Sequence, residues 1–191
     1  GHNFPRQVLL SDEIPEGRPV KPDMTDIQQA HIQQAQALLN KAERPLLIVG
    51  GGSNSAESEI IELAEHLNAP VITTINARGQ LYGHPLVVPA SPTLNAVRAF
   101  IEEADLVLAI GTQLGPTDFD MYHTGALPAF ANMIRVDISP EQLARHEAVV
   151  KLCGDARGVV EALLYTLTPT PLPHRERGLN QLGDETQSWG A

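Results

Sequence analysis

The residues best placed to do chemistry form one short run, Gly50-Gly51-Gly52-Ser53, directly after the apolar tetrad Leu46-Leu47-Ile48-Val49. Consecutive glycines leave backbone N–H groups bare, so a turn built from them can cradle a phosphate where a helix begins beside it. With Ser55 in the place of the third glycine, Gly50 and Gly52 nearly spell the G-x-G-x-x-G of dinucleotide sites. That motif also wants an acid about 20 residues further on, to hold a ribose. The region that would supply it reads VITTIN, Val71 to Asn76, without a carboxylate. An ordinary NAD-type site is therefore not expected, and two uses of the glycines stay open: an anion cradle, or a tight turn with close helix packing.

Three other groups carry reactive side chains. Asp118, Asp120 and His123 lie together in a stretch of weak periodicity. As metal ligands they would need a fourth donor that the sequence does not show, so a solvated loop is the expectation. His31 falls on an apolar helical face, where a hydrogen-bonded core histidine is expected. Cys153 has no base beside it in sequence and reads as a small buried hydrophobe.

The elements that must position these residues alternate. Leu46–Val49 is an unbroken apolar run, the pattern of a strand buried on both faces. After the glycines, any of Ser53, Asn54 and Ser55 can cap a helix whose buried face is Ile60, Leu63, Ala64 and Leu67. Further strands are expected at 71–74, 106–110, 133–138 and 149–153. A helix before the first strand would start near Asp23 or Thr25 and bury Met24, Ile27, His31, Ala35, Leu38 and Ala42. Ser91-Pro92 and Ser139-Pro140 each read as an N-cap followed by proline in the first helical position, with Gln142 completing a capping box in the second case. A last helix carries Val160, Leu163, Leu164 and Leu167. The stretch from 112 to 132 is long enough to imply a functional role or a short hidden helix. Strand and amphipathic helix repeated about five times predict an α/β fold. Its parallel, doubly wound sheet would have five to six strands, with helices on both faces.

Length and composition bound the rest. The 191 residues have room for one domain with a sizeable core, expected over 23–167. Residues 1–22 read as an arm or incoming linker, and the proline-rich 168–191 as an extended or disordered tail. A formal charge of −10 argues against a nucleic-acid surface, and no apolar run is long enough to span a membrane. One cysteine forbids an internal disulfide and fits a reducing, cytoplasmic setting.

Six segments in order carry a family resemblance: AERPLLIVGGG (Ala42 to Gly52), APVITTINARG (Ala69 to Gly79), GHPL (Gly83 to Leu86), EEADLVLAIGTQLG (Glu102 to Gly115), IRVDISPEQL (Ile134 to Leu143) and CGDAR (Cys153 to Arg157). Together they resemble the central, Rossmann-like domain of thiamine-diphosphate-dependent enzymes such as acetolactate synthase and benzoylformate decarboxylase, over roughly residues 22 to 165. INARG and the GTQLGPTDFD loop are most similar to decarboxylases of 2-oxo acids derived from amino acids, such as a guanidino-oxopentanoate decarboxylase.

The resemblance implies a three-domain parent whose outer domains bind thiamine diphosphate and magnesium, supply an activating glutamate and carry a GDG metal motif. This sequence matches neither feature: Gly154-Asp155-Ala156 and Gly183-Asp184-Glu185 both lack the final glycine. No catalytic or metal-binding residue is thus expected here. By the same resemblance, a nucleotide pocket for FAD or ADP would draw on Gly50, Gly51, Gly52, Ser53, Gly111, Thr112, Asp137, Ile138, Gly154 and Asp155. In flavin-binding members an arginine usually follows the glycine after the third strand, and here Gln113 stands there, removing a charge-assisted contact to a diphosphate. Asp137 could equally serve only to help the next helix begin. The expected partners are the other two domains and further copies of the chain. The function implied is a non-catalytic middle domain giving scaffold, subunit contacts and a nucleotide pocket, the alternative being a free-standing nucleotide-binding or sensing module.

Overall fold

The computed structural model describes residues 26–124, 126–165 and 167. Strands β1 (Pro45–Val49), β2 (Val71–Thr73), β3 (Leu106–Ile110), β4 (Met133–Asp137) and β5 (Val150–Cys153) form a single parallel sheet in the order β2-β1-β3-β4-β5. A parallel bridge between Val71 and Val87 extends the sheet by one residue beyond β2. The expected α/β architecture is therefore what the chain adopts.

Alternate residues of each strand face opposite layers, which is why the strands read as apolar throughout. Leu47, Val49, Leu108, Ile110, Ile134 and Val136 meet helices α1 (Asp26–Lys41), α2 (Glu57–Leu67) and α7 (Ala156–Leu164). Leu46, Ile48, Val107 and Ala109 meet helix α3 (Asn95–Glu102) and the short helix α4 (Pro116–Phe119). Two further short helices, α5 (Met121–Thr124) and α6 (Pro140–Ala144), follow β3 and β4. Helix α4 and helix α5 account for the weak periodicity after β3.

Three local expectations are corrected. The buried face of α1 is Ile32, Ala35, Gln36 and Leu39, whereas His31 is exposed. The frame shifts because Gln36 takes a buried place and donates its amide to the Ala162 and Leu163 carbonyls, each at 3.0 Å, in the last turn of α7, where carbonyls lack intrahelical donors. Helix α2 has no serine or asparagine cap; Gly51–Ala56 forms a 3-10 turn that runs straight into it. Helix α3 begins at Asn95 rather than at Ser91-Pro92, because the Ser91 hydroxyl is engaged with Thr93 instead. Ser139 does cap α6, accepting from the Gln142 N–H, with Pro140 at the start. Met24, the Thr25 cap, the arm at 1–22 and the tail at 168–191 lie outside the described residues.

Candidate functional site at the carboxyl rim of the sheet

The chain winds from β1 out to β2 and then crosses back over β1 to β3. The strand order thus reverses between β1 and β3, the place where open α/β sheets form a crevice. Gly50 to Ser53 leave β1 at that point, and Gly111-Thr112 leave β3 beside them. Asp137-Ile138 and Gly154-Asp155 follow β4 and β5 on the same rim. All ten predicted residues therefore share one edge of the sheet.

Their hydrogen-bonding capacity is largely turned inward. Gly50 N–H donates to the Ile110 carbonyl at 2.9 Å, Gly52 N–H to the Gly111 carbonyl at 3.0 Å, and Ser53 N–H to the Gly50 carbonyl at 3.0 Å. A Cβ on Gly50 would lie 2.3 Å from the Gly111 oxygen; one on Gly111, whose φ is +59°, would lie 2.5 Å from the Gly52 carbonyl carbon. The two glycine turns are interlocked, and this close approach is what demands glycine. Ser53, fully buried, shares its one hydroxyl proton between the Gly50 carbonyl at 2.7 Å and Gln80 Oε1 at 3.0 Å. Gln80 in turn bonds Asn54.

The neighbouring loops are pinned in the same way. Glu57 accepts the Leu81 N–H at 2.6 Å, holding a buried leucine at φ +58°. The Thr112 hydroxyl accepts the N–H of Leu114, another buried leucine with positive φ. Asp137 accepts the Ser139 N–H at 2.9 Å, next to the cap of α6. Asp155 caps α7, accepting from Arg157 and Gly158 N–H. Ile138 is exposed.

Two readings of single residues are corrected here. Asp118 is buried, not solvated, and accepts the Ile75 N–H at 3.1 Å, tying the loop after β2 to α4. Cys153 is exposed, because it ends the edge strand β5. His123 is exposed, and no group of three His, Cys, Asp or Glu side chains among the described residues could hold a metal ion.

Sequence reasoning missed Arg135. It is 1% exposed in the middle of β4, and its guanidinium donates to the Gln142 carbonyl at 2.6 Å and the Thr112 carbonyl at 2.9 Å. Burial draws its pKa down, and Asp137 partly opposes that. Close by, His146 lies 3.2 Å from the Gln113 carbonyl. Burial lowers its pKa first, and the charges of Arg135, Arg145 and Lys151 add to the effect against the pull of the Gln113 bond. The available signal was a charge inside the otherwise apolar run MIRVDI.

Residues 32–163 match the family model of the thiamine pyrophosphate enzyme central domain. The chain belongs to that family. It is 40% identical over 138 residues to a probable 2-ketoarginine decarboxylase of Pseudomonas aeruginosa, covering 71% of this chain and 24% of that protein. To an acetolactate synthase of Mycobacterium bovis it is 32% identical over 151 residues, 74% of this chain and 24% of that one. The fold matches the crystal structure of a protein from Mycobacterium smegmatis described as a thiamin diphosphate-dependent enzyme. The TM-score is 0.60 at 21% identity, over 83% of this chain and 32% of that one. The chain thus spans about a quarter of the length of the curated relatives it matches.

Thiamine diphosphate and magnesium, which the family implies, do not fit the described residues of this chain. A magnesium diphosphate is held by one or two carboxylates together with its own phosphate oxygens and waters, and the two rim acids, Asp137 and Asp155, already accept backbone N–H groups at the starts of α6 and α7. The Gly50, Gly52, Gly111 and Gly154 N–H groups already bond the chain's own carbonyls. No step through the cofactor is assigned to them.

Proposed function

We propose that this chain is the middle, non-catalytic piece of a larger thiamine-diphosphate-dependent enzyme, a 2-oxo-acid decarboxylase or an acetolactate-synthase-like carboligase. It supplies scaffold and subunit contacts to the two flanking domains and to further copies of the chain. The reaction, loss of carbon dioxide from a 2-oxo acid with protonation or carboligation of the carbanion, belongs to the cofactor and to the domains that hold it. Similarity to a probable 2-ketoarginine decarboxylase favours a 2-oxo acid derived from an amino acid as the parent substrate, and the single cysteine favours the cytoplasm as its setting.

One observation carries the proposal. The glycine turn of β1 is closed against Gly111 by backbone bonds, with no room for even a methyl group between them. At this turn the domain acts as packed structure. Exposed Ile75, Tyr82, Tyr122 and Ile138, in the segments that follow β2, β3 and β4, offer apolar surface for neighbouring domains. Calorimetric titration with thiamine diphosphate and magnesium tests the reading: no saturable heat is expected, and stoichiometric binding would refute it.

A second reading is a nucleotide pocket, taking FAD or ADP, on a free-standing sensing module. The convergence of Gly50–Ser53, Gly111-Thr112, Asp137-Ile138 and Gly154-Asp155 on one rim favours it. A thermal-shift series with FAD, ADP, NAD and coenzyme A separates the two. Saturable stabilisation by one nucleotide supports the pocket, and no shift with any supports the packed turn.

A further inference from the structure

Away from the glycine rim, the segment Gly83-His84-Pro85-Leu86 ties the outer edge of the sheet to α2 through one imidazole. The chain turns at Gly83, whose φ is +80°. Leu86 then accepts the Val71 N–H at 2.8 Å, and Val88 donates to the Val71 carbonyl at 2.9 Å. With the parallel bridge at Val87, these bonds lay Leu86–Val88 along the outer edge of β2 at its amino end. His84 serves both sides. Its Nδ1 accepts the Leu86 N–H at 3.3 Å, and its Nε2 lies 3.2 Å from Glu65 Oε1 in α2.

These two contacts fix where the proton sits. A ring nitrogen that accepts an N–H carries no hydrogen of its own, so the neutral ring is protonated at Nε2 and donates to Glu65. A second proton has only Nδ1 to go to. There it would face the Leu86 N–H, donor against donor, and that bond would break. The Glu65 contact survives the change and becomes an ion pair. Glu65 is the acid bonded to the ring. Elsewhere on α2, Glu57 accepts the Leu81 N–H, Glu59 pairs with Arg157, Glu62 is exposed and His66 is half-buried. Strand β2 carries no titratable residue, and the loop before His84 adds exposed Tyr82.

We propose that His84 is a proton-operated latch on the outer edge of the sheet. The neutral ring holds α2 and the Leu86–Val88 run together, whereas the protonated ring keeps Glu65 and releases the Leu86 N–H. The pairing of Leu86–Val88 with Val71 then loosens, and the edge of β2 opens to other partners. Imidazole suits such a device because it ordinarily changes charge between about pH 5 and 8. The latch does not depend on the proposed parent reaction.

The test is NMR of the 191-residue chain from about pH 8 down to about pH 5. At the upper end, long-range nitrogen correlations should show the ring protonated at Nε2 with Nδ1 bare. As the ring titrates, exchange protection of the Leu86 amide, corrected for the intrinsic rate, should fall about threefold to tenfold, the worth of one net hydrogen bond. Its midpoint should match that of the ring's own shifts. Protection at Val107, whose N–H bonds the Asn132 carbonyl at 2.9 Å in the inner sheet, should stay level. His84→Asn places an amide oxygen where Nδ1 stands and accepts the same N–H without titrating, so Leu86 should stay protected throughout. A proton on Nδ1 at the upper end, unchanged Leu86 protection as the ring titrates, an equal fall at Val107, or the same fall in His84→Asn would each overturn the proposal. Should His84→Asn not fold, the three readings on the unaltered chain decide.

Discussion

Gly50 and Gly111 occupy one small volume from opposite sides, and each excludes a side chain on the other's account. Gly50→Ala should therefore destabilise the chain by about 2–3 kcal/mol through overpacking against backbone that has no rotamer to yield. Gly111→Ala should cost at least as much, because its φ of +59° adds strain. Gly158 sits within α7 with nothing near its absent Cβ. There Gly158→Ala should stabilise by about 0.5–1 kcal/mol. Urea denaturation of the three variants reads out all of these values. His146 makes a prediction of opposite character. Its folded pKa is lowered from the usual 6.5 by burial and by neighbouring cations, so the unfolded chain binds the proton more readily. Its contribution to stability is complete above pH 6.5 and is lost as pH falls towards the folded value. His146→Gln should flatten the dependence of the urea midpoint on pH below 6.5; an unchanged slope would remove His146 from the account. At this scale the sequence showed that a glycine turn was present but not what it touched. Gly111 lies far along the chain, and only the sheet brings it to Gly50. Arg135 was hidden for a similar reason: the carbonyls that make its burial tolerable come from α6 and the loop after β3.

Elements whose ends are set by adjacent residues were legible. Ser139-Pro140 starts α6 as the cap chemistry requires, and the five strands fall within about a residue of the apolar runs that announced them. Ends set by tertiary contacts were not. The start of α3 yields to a Ser91–Thr93 turn, and the buried face of α1 follows Gln36 to the end of α7. Asp155 illustrates how one residue can fit two readings. Proposed for a nucleotide site through family resemblance, it caps α7 by accepting two N–H groups. Asp155→Ala should cost about 1 kcal/mol in thermal unfolding, the usual loss for a helix cap. Loss of a bound nucleotide's stabilisation, in the presence of FAD or ADP, would be the distinguishing sign of the other reading.

At the scale of the molecule, parallel pairing follows from alternating strands and helices, since short right-handed crossovers permit few other topologies. Parallel strands put all five carboxyl ends on one rim, which is why every candidate residue lies there, whereas the order reversal between β1 and β3 comes from the structure. What sequence alone left open was how that rim is packed; in the structure the turns at Gly50 and Gly111 approach so closely that a Cβ on Gly50 would lie 2.3 Å from the Gly111 oxygen. In the function proposed above, this domain supports chemistry performed elsewhere. Carbon dioxide release is the most direct measurement of that claim. The purified 191-residue chain would be supplied with thiamine diphosphate, magnesium, and either 2-ketoarginine or pyruvate. Release at the rate of the cofactor without protein is the predicted result. Saturable release that scales with protein concentration would contradict it.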